Sequence, residues 1–236
     1  MKEIGGDDKL EDTGKVFTMT IAFIPLRGGS KSIPKKNIKE LNGKPLCYWV
    51  IKSASEAEGV DEVIISTDCD EITTVVNGLN LPRVSVIKRS EQTASDTAST
   101  ESVMLEYLEQ TKKNNDEKFI LLQATSPLTT SHDIQECLQL SEKYDSVLSC
   151  VRSKRFYWNQ DGTPINYDFK NRPRRQDFDG YLMENGAIYV STVKRILESK
   201  NRLSGNVGIY EMPEITGYEI DEPEDWIILE GLINKS

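Results

Sequence analysis

Residues 20–37 read TIAFIPLRGGSKSIPKKN, an apolar run that passes directly into a loop of arginine, glycine and lysine. The apolar run at 21–26 is continuous, which predicts a strand buried on both faces. Open α/β sheets bind ligands at the carboxyl ends of their strands, and the basic loop follows such an end. The stretch therefore predicts a buried strand with a ligand-binding loop at its carboxyl end.

Apolar segments then alternate with helical patterns up to about residue 152, which predicts an α/β fold with a doubly wound, mainly parallel sheet. Thr130 and Asp133 resemble a capping box ahead of one helix. On the first helix, Leu46, Trp49, Val50 and Ser53 share one side. The predicted strands are 63–67, 84–87, 119–123, 146–151, 187–191 and 207–211, and the predicted helices are 45–58, 100–112, 133–144, 193–199 and 226–233.

The regular pattern stops between residues 153 and 180, where Arg, Lys, Tyr, Trp, Asn, Pro and Asp are crowded together. Loops of this length inside a compact domain are usually functional. We predict an inserted excursion, about 153–185, that contacts a ligand or a partner. It belongs to a single domain of residues 19–236, and residues 1–18, which are polar and aperiodic, are predicted to form a flexible extension.

The formal net charge of −9 argues against a general nucleic-acid binder, because phosphate backbones require a broad basic surface. Positive charge is nevertheless concentrated in two places. One is the loop after the first strand and the other is the excursion. Local positive charge in an acidic protein favours a small polyanion such as a nucleotide as ligand.

The four cysteines show no C-x-x-C pair and no zinc-ligand spacing, so they are interpreted as reduced core residues. No segment approaches the apolar length of a membrane span, and the N-terminus is charged rather than signal-like. We therefore expect a cytoplasmic location, with no membrane partner.

Gly28 and Gly29 allow backbone N–H groups to approach phosphate oxygens, while Arg27 and the lysines neutralise charge. The G-x-x-x-x-G-K-[ST] and G-x-G-x-x-G patterns are both absent from this loop, which argues against the common ATP and NAD sites. By itself the loop is compatible with an ordinary surface turn.

Seven motifs occur in order and resemble those of the CMP-sialic acid synthetases, also called acylneuraminate cytidylyltransferases. The resemblance extends over nearly all of residues 20–233 and implies a Rossmann-like nucleotidyltransferase fold. The motifs are RGGSKSIPKKN with GKPL at 27–46, STD at 66–68, Arg89 with SDTAS at 95–99, QATSP at 123–127, RPRRQD at 172–177, ENGAIY at 184–189 and EID at 219–221.

The resemblance implies that CTP and a sugar acid are the substrates. Arg89 and Thr100 are expected to contact the nucleoside and phosphates, Gln123 to orient the sugar, and Tyr189 to bind substrate. From the residues alone, Gln123 could equally cap backbone groups at a strand end. The residues implied to bind CTP are Arg27, Ser30, Lys36 and Asn37, with Lys36 also stabilising the transition state.

Arg172, Arg174 and Arg175 lie within four positions, which is unfavourable unless an anion meets them. The resemblance implies that Arg172 is catalytic and that Arg175 contacts the sugar or its carboxylate. It also implies a homodimer in which the excursion reaches the active site of the other chain. Arg174 alone is as well explained by a solvated basic hairpin.

Glu219 and Asp221 are two residues apart, so both carboxylates lie on one face of a strand or turn, a spacing suited to a shared Mg²⁺. The family more often has Asp-x-Asp here, so Asp221 is the firmer metal ligand and catalytic residue. Asp221 could also cap the closing helix, since Pro223 follows.

Together these features predict transfer of CMP from CTP to the anomeric hydroxyl of a sialic-acid-type, nine-carbon 2-keto sugar acid, with release of pyrophosphate. The same chemistry on KDN, legionaminic acid or KDO is one alternative. A nucleotide-binding homologue without turnover is the other, suggested by Glu219 in place of aspartate.

Overall fold

The structure is a computed structural model that describes residues 18–234, so nearly all of the predicted N-terminal extension lies outside the described residues. Its strands are β1 (Thr20–Pro25), β2 (Glu40–Leu41), β3 (Lys44–Pro45), β4 (Glu62–Thr67), β5 (Val84–Lys88), β6 (Lys118–Leu122), β7 (Ser146–Ser153), β8 (Tyr181–Thr192) and β9 (Val207–Met212). Its α-helices are α1 (Leu46–Glu56), α2 (Asp70–Gly78), α3 (Glu91–Ala94), α4 (Thr100–Thr111), α5 (Ser131–Leu140), α6 (Val193–Ser199) and α7 (Pro223–Ile233).

Seven strands form one sheet in the order β5-β4-β1-β6-β8-β7-β9. Neighbours pair in parallel except around β8, which runs antiparallel to both β6 and β7. Helices cover both faces of the sheet, so the predicted doubly wound, mainly parallel fold is confirmed. The carboxyl ends of β5, β4, β1 and β6 all lie at one edge, where the functional residues collect.

Two apolar layers hold the sheet between its helices. On one face, α1, α2 and α5 pack on β-branched and aliphatic side chains. On the other, Phe23, Tyr107 and Phe119 pack as a trio, with ring centroids 5.1–6.3 Å apart, beneath α4 and α6. Burial of these side chains is the main contribution to the stability of the domain.

The buried side of α1 differs from the predicted one. Cys47, Ile51 and Ala54 join the core beside Val50, and Trp49 and Ser53 face neighbouring loops instead. The indole N–H of Trp49 donates to the Leu41 carbonyl at 3.3 Å. The Ser53 hydroxyl donates to a second loop, at the Thr129 carbonyl, at 2.7 Å.

A third apolar cluster joins the basic loop to the end of the chain. Ile33, Leu41 and Leu46 pack with Ile220 and with Trp226 and Leu229 of α7. This cluster brings residues 219–221 beside the loop that follows β1, although about 190 positions separate them in sequence. It thereby sets one rim of the candidate site.

The excursion ends at Gly180 rather than at 185, because β8 begins at Tyr181, six residues earlier than predicted. It has little regular structure, apart from two short 3-10 turns and a bridge between Trp158 and Pro164. Its interior is aromatic: Phe156 stacks on Tyr167, with ring centroids 4.1 Å apart. The excursion therefore has a small apolar centre of its own.

The capping box predicted at Thr130 and Asp133 is present, with the Thr130 hydroxyl and the Asp133 carboxylate satisfying each other's backbone N–H groups. At α7 the cap is Glu222, paired with Asp225, rather than Asp221. The alternative role for Asp221 as a helix cap is therefore wrong, and its carboxylate is directed elsewhere.

Candidate active site

A cleft of about 330 Å³ lies at the carboxyl edge of the sheet. The cleft is built from the ends of four neighbouring strands. The loops after β1, β5 and β6 line it, and the residue after β4 holds the loop that follows β1. Its lining residues are Pro25, Arg27, Gly29, Ser30, Lys36, Asn37, Arg89, Thr93, Ser95, Asp96, Ala98, Ser99, Thr100, Val103, Gln123, Ala124 and Thr125. The structure thus brings together all seven residues predicted to bind CTP or orient the sugar from these loops.

The loop after β1 is held from behind by Asp68, which follows β4. The Asp68 Oδ1 atom accepts the backbone N–H of Gly28 at 3.0 Å. That N–H is therefore not directed at a ligand, contrary to the predicted role of Gly28. A Cβ at position 28 would lie 2.8 Å from the Cβ of Cys69, so Gly28 is required for close packing.

Arg89 is the most buried cation of the cleft, with 7% of its surface exposed. Its Nη2 atom lies 3.2 Å from Asp68 Oδ1, and its buried Nε has no hydrogen-bond partner among the described residues. Burial lowers the pKa of Arg89, and Asp68 opposes that shift. Since an arginine stays charged in proteins, this guanidinium presents an under-satisfied cation to the cleft.

Lys36 lines the cleft and also contacts residues at its rim. Its Nζ donates to the Ile220 carbonyl at 2.8 Å and lies 3.3 Å from Asp221 Oδ1. Only 15% of its side chain is exposed. An ammonium has three donors, so one remains for a ligand oxygen in the cleft.

Asn37 also binds the loop itself, since its side-chain N–H donates to the Arg27 carbonyl at 2.9 Å. Within the described part of the chain its amide oxygen accepts no hydrogen bond, which leaves an acceptor at the cleft. Thr100 is the first residue of α4, whose N-cap Ser99 accepts the N–H of Ser102 at 3.1 Å. The positive end of a twelve-residue helix therefore meets the cleft, which favours an anion there.

Two carboxylates lie at the rim beside Lys36. The Asp221 carbonyl accepts from the Ser32 hydroxyl at 2.5 Å, and the Ile220 N–H donates to the Thr125 carbonyl at 2.9 Å. Glu219 packs on Gly186, where a Cβ would lie 2.8 Å from its Oε2. Burial first, then the charges of Asp221 and Glu184, raise the pKa of Glu219 to about 7.

These rim carboxylates fit a divalent cation only in company with a ligand. Among residues 18–234, no group of three His, Cys, Asp or Glu side chains is placed to hold a metal alone. Mg²⁺ in nucleotide sites commonly uses one or two carboxylates plus phosphate oxygens. Burial is the main cause of the raised pKa of Glu219, and the repulsion from Asp221 that adds to it is one that a cation would relieve.

Besides the two rim carboxylates, three predicted site residues do not line the cleft of their own chain. Arg172 lies in the excursion, where its guanidinium stacks over the Phe156 ring at 4.5 Å. Arg175 is exposed and pairs with Glu214 at 3.0 Å. Tyr189 is 3% exposed in β8, and its hydroxyl donates to Glu184, which places it in the core.

Asp68 and Asp96 are the residues that the sequence analysis left without a role. Asp68 belongs to the STD motif and Asp96 to the SDTAS motif, and Asp68 directly follows a predicted strand at the ligand edge. That position was the available signal. What sequence could not supply is their partners, which come from loops 21 to 69 positions away.

The fold and the basic cleft define a nucleotidyltransferase type of architecture, and comparison with known proteins agrees. A family model described as cytidylyltransferase matches residues 21–227. The chain therefore belongs to the cytidylyltransferase family.

The chain is 38% identical over 218 residues to N-acylneuraminate cytidylyltransferase B of Danio rerio, covering 89% of this chain and 50% of that protein. It is 28% identical over 230 residues to CMP-N,N'-diacetyllegionaminic acid synthase of Legionella pneumophila, covering 90% and 95%. The resemblance to acylneuraminate cytidylyltransferases is confirmed. The chain spans about half the length of the first of these relatives.

The fold is also that of a solved CMP:2-keto-3-deoxy-manno-octonic acid synthetase complexed with CTP. The TM-score is 0.71 at 21% identity, with 92% of this chain and 99% of that chain covered. Within residues 18–234, none of the helices has the length and apolar character needed to cross a membrane.

Proposed function

We propose that the protein transfers CMP from CTP to the anomeric hydroxyl of a sialic-acid-type, nine-carbon 2-keto sugar acid and releases pyrophosphate. The observation that carries this proposal is the cleft, where seven predicted substrate-binding residues from three separate regions of the sequence line one cavity. The names of the relatives agree with it. A cleft holding Arg27, Lys36 and Arg89 at a helix N-terminus suits a triphosphate.

In the reaction, the anomeric oxygen bonds to the α-phosphorus while the bond from that phosphorus to the bridging β-phosphate oxygen breaks. Pyrophosphate leaves with the electron pair, and the hydroxyl loses its proton to solvent water. Negative charge therefore grows on the leaving group. Lys36 and Arg89 are held in place by Asp221 and Asp68, so they meet that charge without rearranging.

Gln123 follows β6 at the same edge and lines the cleft, which supports the proposal that its amide binds a sugar hydroxyl or carboxylate. Asn37 and Thr100 offer an amide oxygen and a hydroxyl for the base or ribose. Orientation of the two substrates by such contacts is a large part of catalysis in group transfer.

Magnesium is the proposed cofactor, with Asp221 as the main ligand and Glu219 as a second or water-mediated one. When bound with CTP it would neutralise phosphate charge. Asp221 is the stronger candidate because its carboxylate is 70% exposed at the rim, next to the Lys36 ammonium.

We also propose a homodimer with shared sites. Arg172 and Arg175 do not line the cleft of their own chain, as they lie on the excursion. Apolar side chains on the excursion and on the start of β8 are exposed in the single chain, which fits burial against a second copy. They are Tyr157, Trp158, Ile165, Phe169, Tyr181, Leu182 and Met183.

Legionaminic acid should be tested as a substrate alongside sialic acid. The match to this chain covers 95% of the Legionella relative, whose name refers to a legionaminic acid. The decisive experiment measures pyrophosphate release with CTP and Mg²⁺ against sialic acid, KDN, legionaminic acid and KDO. Release with sialic acid supports the proposal. Binding of CTP without release for any sugar identifies the homologue without turnover.

A further inference from the structure

Asp96 makes an ion pair with each of two cations of the loop after β1. Its Oδ1 lies 3.1 Å from Nη1 of Arg27, and its Oδ2 lies 3.0 Å from Nζ of Lys31. One carboxylate thus engages two of the positive groups that a polyphosphate would be expected to meet. Nothing in the proposed reaction assigns it a role.

The position of Asp96 differs from that of Asp68, the other aspartate near the cleft. Asp68 holds Arg89 from behind and does not line the cavity, so a ligand can add to that pair. Asp96 does line the cavity. Because Asp96 accepts from Nη1 of Arg27, a phosphate oxygen that approaches Arg27 from the cleft comes close to a carboxylate of the same sign of charge.

The segment that carries Asp96 is fixed at both ends. Glu106 of α4 accepts the Ser90 N–H at 3.0 Å and the Thr93 hydroxyl, and Ser99 caps α4. Asp96 is therefore held near the loop by the fold, independently of its own ion pairs. The hydrogen bond from Lys31 also keeps the pKa of Asp96 below its ordinary value, so it is charged at neutral pH.

We propose that Asp96 is an internal competitor for phosphate, a residue that weakens the hold of Arg27 and Lys31 on polyphosphates. This inference rests on the proposed function in that it takes the cleft as the triphosphate site. A triphosphate that binds Arg27 must either displace Asp96 or bear the repulsion of its negative charge. After the reaction Asp96 re-forms the pair, which favours release of pyrophosphate, a step that often limits turnover.

The test measures dissociation constants of inorganic tripolyphosphate and pyrophosphate by calorimetry for the wild-type protein, Asp96→Asn and Glu71→Gln. Glu71 is the matched control, since it pairs with Lys35 of the same loop at 2.7 Å but does not line the cleft. Asp96→Asn is expected to bind both anions about three- to fivefold more tightly at low salt, the size appropriate to half-exposed pairs. The gain should shrink at high salt.

Glu71→Gln is expected to bind like the wild type, and thermal unfolding checks that both variants fold. Equal or weaker binding of both anions by Asp96→Asn overturns the inference, as does an equal gain in Glu71→Gln. The proposed function fails separately if pyrophosphate is never released from CTP with any sugar acid. If wild-type protein binds neither CTP nor tripolyphosphate, both proposals fail.

Discussion

Asp68 Oδ1 lies 3.2 Å from Nη2 of the buried Arg89, and the same oxygen accepts the Gly28 N–H at 3.0 Å. A single carboxylate oxygen therefore joins the ends of three strands, β1, β4 and β5. It also compensates a guanidinium that burial would otherwise destabilise. Asp68 is a positioning residue for the cleft, since it acts through Arg89 and the loop.

Substitution of Asp68 should weaken CTP binding, and the effect should grow with the number of contacts that are lost. Asp68→Asn keeps an oxygen for Gly28 but loses the charge beside Arg89, and Asp68→Ala loses both. We expect a rise of about tenfold in the Kd for CTP with asparagine and a larger one with alanine, from the lost charged hydrogen bond. Calorimetric titration with CTP measures both.

Asp61→Asn is the matched control for this series. Asp61 also accepts a backbone N–H, from Thr20 at 2.7 Å, but at the opposite end of β1. The Asp61→Asn variant should have a lower melting temperature than the wild type and the same affinity for CTP. Equal losses of CTP affinity in the Asp61 and Asp68 variants would mean that Asp68 acts only through general stability.

Metal dependence should separate the two rim carboxylates. Asp221→Asn is expected to need a much higher Mg²⁺ concentration and to lose most activity, because its exposed carboxylate lies beside Lys36. Glu219→Gln should lose much less. Pyrophosphate release as a function of Mg²⁺ concentration tests this, with Glu224→Gln on the first turn of α7 as control. Equal losses for Asp221 and Glu219 would show that both carboxylates ligate directly.

The stability of the protein should depend on pH through Glu219. Burial and two neighbouring carboxylates raise its pKa to about 7, from an ordinary value of 4.5. Protonated Glu219 is thus favoured in the folded state, and that stability is lost as pH rises through about 7. Glu219→Gln mimics the neutral form, so it should melt about 2–4 °C above wild type at pH 8 and nearly equal to it at pH 5.

The measurement is thermal unfolding in buffer containing a chelator, so that no divalent cation masks the repulsion. Glu224→Gln serves here too, because it removes one charge from the exposed start of α7. It should show no pH-dependent difference of this kind. A Glu219→Gln advantage that is the same at pH 5 and pH 8 would contradict the raised pKa.

The sequence predicted the cleft well because its residues follow strands whose buried runs are unmistakable. Arg27, Arg89 and Gln123 each stand within two residues of such a strand, and parallel strands end at one edge. The strand pattern therefore indicated a shared edge for these residues, and the family resemblance supplied their substrate-binding roles, which stay predictions. The fold class followed from the same alternation.

Other features depend on long-range contacts that no local pattern encodes. The first six residues of β8, YLMENG, end in polar residues and glycine and are largely exposed, so they were not predicted as a strand, yet they extend the pairing with β7. Gly28 was expected to offer its N–H to phosphate, but Asp68 takes it. Tyr189 contacts Glu184 and Arg202 within the core. Its orientation depends on how β8 packs against α4 and α6.

The proposed homodimer gives the last prediction, a test by complementation. Lys36→Ala damages the cleft of its own chain, and Arg175→Ala damages the excursion. Arg175 is suited to this because its side chain is 65% exposed and pairs only with the exposed Glu214 among described residues, so its loss leaves the aromatic centre of the excursion intact. Each variant alone should have little activity.

When the two variants are unfolded and refolded together, random pairing makes about half of the dimers mixed. If the excursion serves the partner's cleft, each mixed dimer has one wholly intact site and one doubly damaged site, because the intact Lys36 and the intact Arg175 come from different chains. Activity should then recover to about a quarter of wild type. If each chain instead builds its own site, every site keeps one lesion. Pyrophosphate release would stay at the level of the separate variants, and the shared-site dimer would have to be abandoned.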